Sequence, residues 1–382
     1  MSLAYLEFSA GELRAWAGEA GGVWRPLRLD QGGLVLPLAV CGKHRRLVVG
    51  TAASARLCAD PHLTLGALLT HLGQDQPLVV GRHELLPEDA LRHVLEYGRP
   101  RLSGVKRVVV GVPAWLGLRA AELLEGLLRR LHLEPLAILP RCLLLALEAE
   151  ENQSWQQAAL LAEMDDAALT LTWLTRRDGR IGWQPAHASR ALGRAAWRTA
   201  LADVAAEACI QQCRRDPRAI PDVDQELFSA ADQWLSRPED DGQFHVQFEF
   251  TRAQVTATVT LTAGQVVQGL SRLAAATART LVEQLNRPPV AGGVPALLLA
   301  REVLHLPGLV EELRRRGVPG GFDAEVGIAT ARTAATLTQR LARGELARPP
   351  LLAAALPIHE APAAEFVFDA DDEFGPTVGR GG

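Results

Sequence analysis

The run Val105-Lys106-Arg107-Val108-Val109-Val110-Gly111-Val112 constrains this chain most. Its second half is almost continuously apolar. A strand covered on both faces needs that, and such strands belong to parallel or mixed sheets flanked by helices. Pro113-Ala114-Trp115 then breaks the strand, and leucines and alanines spaced three and four apart from Leu118 to Leu131 give a helix. Pro295-Ala296-Leu297-Leu298-Leu299-Ala300 repeats the theme and leads through Leu306-Pro307 into another helix. Two such junctions far apart in the chain point to an α/β fold in two halves.

The remaining elements fill in around these junctions. Leu3 to Phe8 reads as a strand, followed by a hairpin turned at Gly21-Gly22. Gly33 to Val40 and Arg45 to Val49 read as strands. Thr51 to Leu57, Thr64 to Leu72 and Pro87 to Tyr97 read as helices. Pro135 to Leu139 is a strand and Cys142 to Glu150 a helix. A second round follows with strands at Ala158 to Glu163, Leu169 to Thr175 and Ile181 to Ala186. Helices at Leu192 to Gln212 and Gln225 to Leu235, strands at Phe244 to Phe250 and Val255 to Leu261, and a helix from Gly264 to Leu285 precede the second junction. Helices over Leu306 to Arg316 and Ala324 to Leu341 close the round. The same order of elements thus occurs twice, in 1–155 and 156–344, with inserts at about 34–104 and 200–291. Ligands of such folds bind at the carboxyl ends of the strands, here between the halves. Residues 345–382, rich in proline and acid, are expected to form a disordered tail.

With 382 residues, 48% hydrophobic and 22% charged, the chain can bury a large core. A net charge of -4 gives no reason to expect nucleic acid or an anionic membrane as partner. Met1 to Glu12 lacks the basic and apolar regions of a secretory signal, and no window reaches ~18 uninterrupted apolar residues. Cys41, Cys58, Cys142, Cys209 and Cys213 are scattered, which fits a reducing, cytoplasmic setting.

The order of elements, with Val108 to Trp115 and Leu136 to Leu147 as its anchors, resembles the nucleotide-binding domain of the Hsp70 family. The resemblance covers residues 3–344. Gly50, Ala53, Pro61 and Thr64 fit its first insert, Leu192-Gly193 the start of its large second-half helix, Leu235-Ser236 the end of its adenosine-side helix and Leu306-Pro307 its third glycine motif. It implies a two-lobed, actin-like ATPase fold with duplicated mixed sheets and a nucleotide in the cleft.

The positions that the resemblance assigns to nucleotide have changed. Glycine turns let backbone N–H groups approach phosphate. The first loop here is Glu7-Phe8-Ser9-Ala10-Gly11-Glu12, with one glycine out of register. The second is Glu163-Met164-Asp165-Asp166-Ala167-Ala168, with no glycine and two added carboxylates. Like charges at ~4 Å cost about 1 kcal/mol in water and more in a closed cleft, so phosphates should be repelled. The adenosine loop reads Arg301-Glu302-Val303-Leu304-His305, whose bulk should fill the nucleoside space. The adenosine-side helix offers Ser229, Asp232, Gln233 and Ser236, of which only Ser236 keeps the family residue. Leu69 stands at the phosphate-reaching lysine and Arg141 at the catalytic-side glutamate.

Other chemistry is thin. Glu7 and Glu163 end equivalent strands and read as strand-end acids rather than metal ligands. Cys209 and Cys213 share a helix face, but structural zinc needs four ligands, so they read as packed thiols. Arg314-Arg315-Arg316 suits a helix C-terminus. No catalytic residue, cofactor or metal is expected. The eight tryptophans read mostly as core, with an exposed one marking an interface. The expected function is that of a non-catalytic Hsp70-like pseudo-ATPase that binds a protein partner, such as an active Hsp70-type paralogue. Glu365, Phe366, Phe368, Asp371, Asp372 and Phe374 form the expected partner motif. The alternatives are a divergent ATPase or phosphotransferase of the actin-like superfamily, and an actin-like filament subunit.

Overall fold

Three antiparallel strands open each half of the chain, and the two openings correspond strand for strand. A computed structural model describes all residues except 1, 32, 44–45, 153, 237–242, 251–254, 289–294, 319–326, 328–329, 350 and 359–382.

In the first half, β1 (Ser2–Phe8), β2 (Glu12–Glu19) and β3 (Arg25–Pro26) form a meander, and β4 (Val35–Pro37) also pairs with β2. An insert follows: β5 (Val40–Lys43), β6 (Arg46–Val49), α1 (Thr51–Ser54), β7 (Thr64–Leu65), the hairpin β8 (Leu78–Val80) and β9 (His83–Leu85), and α2 (Pro87–Gly98). The chain then returns to the sheet with β10 (Val105–Val112), crosses through α3 (Leu118–Arg130) to β11 (Glu134–Pro140) and enters α4 (Arg141–Glu151). The strand order is β11-β10-β1-β2-β3, with β1, β10 and β11 parallel.

The second half repeats the plan. β12 (Ala158–Met164), β13 (Leu169–Arg177) and β14 (Arg180–Ser189) make the meander. The insert here is α5 (Arg194–Cys213), α6 (Pro221–Ser236), the hairpin β15 (Phe244–Phe250) and β16 (Val255–Leu261), and α7 (Ala263–Leu285). β17 (Ala296–Leu299) pairs parallel with β12, as β10 does with β1. Then come α8 (Arg301–Leu304), α9 (Leu309–Arg315), α10 (Thr330–Arg343) and β18 (Ala355–Pro357), for a strand order β17-β12-β13-β14-β18.

The period of two along each strand divides the interior into three cores. Val108, Val110 and Val112 of β10 join Ala4, Leu6 and Phe8 of β1 in the core of the first half, under α2 and α3. Leu160, Ala162 and Met164 of β12 join the core of the second half, under α5 and α7. The opposite faces supply Leu3, Tyr5 and Val109 from one sheet, and Ala159, Leu161 and Leu298 from the other. These meet around α4 and α10, whose Leu143, Leu144, Leu145, Ala334 and Ala335 lie between the sheets. Buried Glu148 of α4 ties the helices together, accepting from the Thr330 hydroxyl at 2.8 Å and the Gly327 N–H at 3.0 Å.

Two expectations are corrected. Thr64 to Leu72 is not a helix but β7 followed by a 3-10 turn over Leu68–His71. Its leucine spacing imitates a helix, but Ala67 takes a left-handed φ of 51°. The tail does not begin at residue 345. Leu352 bridges Ile138 of β11, Ala353 N–H donates to the Ile138 carbonyl at 3.2 Å, and β18 adds to β14 over Arg180–Gly182. Ala353 and Leu356 are buried in the central core. Apolar residues every one to three positions, from Leu351 to Ile358, give this strap enough surface to bury despite its prolines. The expected partner motif (Glu365, Phe366, Phe368, Asp371, Asp372, Phe374) lies outside the described residues.

Candidate functional site

The carboxyl ends of β1 and β12 face each other across the two halves, and most of the residues singled out in the sequence converge there. Glu7 and Glu163 are each the penultimate residue of their strand. Arg141, the first residue of α4, lies between them. Its guanidinium is 2.5 Å from Glu302 Oε1 and 3.6 Å from Glu7 Oε1. Glu302 stands in the first turn of α8 and also accepts the Met164 N–H at 3.4 Å. The base at Arg141 is thus matched by the acid at Glu302, one from each half. Glu7 is held further by the Tyr5 hydroxyl, which donates to Oε2 at 2.9 Å. Tyr5 stacks on Trp16, and its hydroxyl passes so close to Gly111 that any Cβ there would collide with it.

Glu163 is served worst. It is 4% exposed, Oε1 accepts only the Ala114 N–H at 3.3 Å, and Oε2 has no hydrogen-bond partner in the described structure. Burial pushes its carboxyl up to about 7, more than Arg141 pulls it down, and Glu302 adds to the rise. Burial also acts on Glu302, but there the Arg141 charge wins and the carboxyl sits below its ordinary range.

Asp165 occupies the centre of the seam. Its Oδ2 accepts the Ala10 N–H at 3.1 Å and the Trp115 indole N–H at 3.0 Å, both from the first half. Its Oδ1 accepts the N–H groups of Ala167 at 2.9 Å and Ala168 at 3.0 Å, from its own loop. Backbone donors of both strand-end loops therefore converge on one carboxylate of the protein itself. Burial raises Asp165 to about 6, against the pull of these donors.

Asp166 points the other way. It meets Arg198 at 3.3 Å, and Arg198 and Arg194 both engage Asp232, at 2.9 and 3.2 Å. Arg194 also donates to the Ser236 hydroxyl, and Arg198 stacks 4.0 Å over the Phe228 ring. Burial raises Asp166, whereas at Asp232 the two arginines outweigh burial and hold the carboxyl down. Asp165 and Asp166, the two added carboxylates of this loop, diverge, and each finds donors. The loop also caps α5, its Asp165 and Asp166 carbonyls accepting from Arg194 at 2.9 Å and Ala195 at 3.3 Å. A Cβ on Gly193 would lie 2.7 Å from the Ala168 nitrogen, so only glycine admits this approach.

The other predicted positions lie apart. Leu69 is fully buried in the first-half core, and Ser9 bonds weakly to the Glu12 carbonyl at 3.5 Å. Gln233 is exposed, and Arg301 is half-buried at the start of α8. Ser229 accepts from Gln225 at 3.3 Å, and Gln225 takes the Cys58 N–H at 2.8 Å, joining the two inserts. Sequence reasoning missed Arg194, Arg198 and Gln225. Arg194 and Arg198 are four apart on one helix, as Asp232 and Ser236 are on another, and that matched spacing was the available signal.

Cys209 and Cys213 are free thiols with sulfurs 3.4 Å apart. Among the described residues no group of three or more His, Cys, Asp or Glu is arranged to hold a metal ion, and no helix is long and apolar enough to cross a membrane. None of the eight tryptophans is exposed. No protein-family model matches the chain, and no curated protein matches it either.

Proposed function

We propose that this chain is a non-catalytic relative of the actin-like ATPases, of Hsp70 type, that acts by binding another protein. One observation carries the reading: the Asp165 carboxylate takes the backbone donors of both strand-end loops, the groups an incoming phosphate would need. A ligand anion would have to displace a tethered one and bring its charge beside Glu163 and Asp166. Arg141 already pairs with Glu302 and Glu7, so a phosphate would have to compete with two carboxylates for it. The repeated strand order of the two sheets, with α4 and α10 between them, supports the two-lobed actin-like fold by analogy of architecture. A purified active Hsp70-type protein is the first partner to try.

Isothermal calorimetry with Mg-ATP and Mg-ADP tests the nucleotide part. The reading expects no heat up to millimolar nucleotide, and micromolar binding would overturn it. Partner binding is tested by titrating the full chain, and a chain ending at Ile358, against that purified protein. Equal binding by the two removes any role for the acidic-aromatic segment.

A further inference from the structure

Around Arg141 the two halves pool three carboxylates, Glu7, Glu163 and Glu302, for one guanidinium. Fully ionised, this group carries two uncompensated negative charges, one of them on buried Glu163, and burying charge without a partner is costly. The hydrogen bonds show which acid gives way. Glu302 has both guanidinium nitrogens and a backbone N–H; Glu7 has the Tyr5 hydroxyl and Arg141. Glu163 has one long backbone bond and a bare Oε2.

We propose that the seam between the halves is a proton-linked latch, closed while Glu163 carries a proton and loosened when it ionises. The proton goes to solvent, and nothing else changes hands. The groups facing Glu163 are Arg141 and Cys142 of α4, Tyr5 and Glu7 of β1, Glu302 of α8 and Asp165 of its own loop. Burial holds both the Tyr5 phenol and the Cys142 thiol well above their ordinary values, so both stay neutral in the relevant range. Ala114 N–H, the one donor Glu163 has among the described residues, comes from the opposite half, as do the Ala10 and Trp115 donors on neighbouring Asp165. Charge on Glu163 therefore acts where the halves meet.

The direction follows from linkage. Glu163 binds its proton more tightly in the closed seam, at about 7, than in water, at its ordinary 4.5. Its contribution to closure is complete at low pH and is lost as pH rises through about 7. Asp165, at about 6, adds the same sign earlier in the rise. The latch does not depend on the pseudo-ATPase reading, since it involves no nucleotide.

Hydrogen exchange followed by mass spectrometry on the full chain tests it, with intrinsic exchange rates corrected for pH. The amides to read are Ala10, Ala114 and Met164 at the seam, with the α5 amides as a reference for global unfolding. Between about pH 5.5 and pH 8 the seam should open about 30-fold more often, the change a single site moved from 4.5 to about 7 gives. Glu163→Gln, neutral at every pH, should cut the rise to the few-fold part that Asp165 supplies, while Asp165→Asn should keep most of it. A flat wild-type profile overturns the latch, as does an equal rise in Glu163→Gln. Should Glu163→Gln fail to fold, the wild-type profile alone decides.

Discussion

Two partly buried ionic clusters lie within the same loop's reach, and they are built on opposite accounts of charge. The cluster of Arg194, Arg198, Asp166 and Asp232 has two bases for two acids, and lies wholly in the second half. The cluster of Arg141, Glu7, Glu163 and Glu302 has one base for three acids, and spans both halves. The balanced one pins α5 to α6, elements that never need to part. The unbalanced one stands where the two halves meet. A deficit of positive charge at the boundary makes its packing depend on pH through Glu163.

The sharpest way to break this contrast is Arg141→Leu. It leaves Glu302, Glu7 and Glu163 with no buried counter-charge and should cost about 4 kcal/mol in chemical denaturation. Asp165→Ala comes next, at about 3 kcal/mol, because four N–H donors lose their acceptor at once. Phosphate or acetate should restore part of that loss, and no recovery would mean that the donors disperse without the carboxylate. The pH dependence is smaller. Glu163 alone should lower stability by about 2 kcal/mol between about pH 5.5 and pH 8, read by thermal melting. In the balanced cluster Asp166, raised by burial, adds a loss of the same sign, and Asp232 adds none in that range. Asp232, held below the ordinary range, supports the fold at neutral pH and gives up that support only as pH falls through its lowered value. Arg198→Lys should have the smallest effect, about 1 kcal/mol, through loss of the planar stack on Phe228. If it cost as much as Arg141→Leu, the distinction between the clusters would fall.

Much of the frame was legible from the chain alone. The apolar run at Val105–Val112 and the leucine spacing behind it gave strand and helix to within a residue or two. Both meanders were visible because Gly21-Gly22 and Asp178-Gly179 mark their turns. The hairpin β8–β9 was not, since three-residue strands between polar turns carry no period. The strap escaped because prolines hide a stretch that works through burial and edge pairing rather than periodicity. Arg141 could be seen as a change of charge, but its partner Glu302 lies 161 residues away, and nothing local links them. Asp165 and Asp166 show the limit most plainly. Adjacent and alike in sequence, they point into different clusters, because alternate residues of a turn face opposite ways.

The strap and α10 also set an order of events during synthesis. The central core needs α4 from the middle of the chain, and α10, Ala353 and Leu356 from its last described segment. A ribosome releasing this protein exposes the back face of the first sheet, with Leu3, Tyr5 and Val109, long before its cover exists. Each half can collapse on its own outer core early, yet the wall between them is finished only when residues 351–358 emerge. The nascent chain therefore carries a broad apolar face for most of its translation, the kind of surface that general chaperones bind.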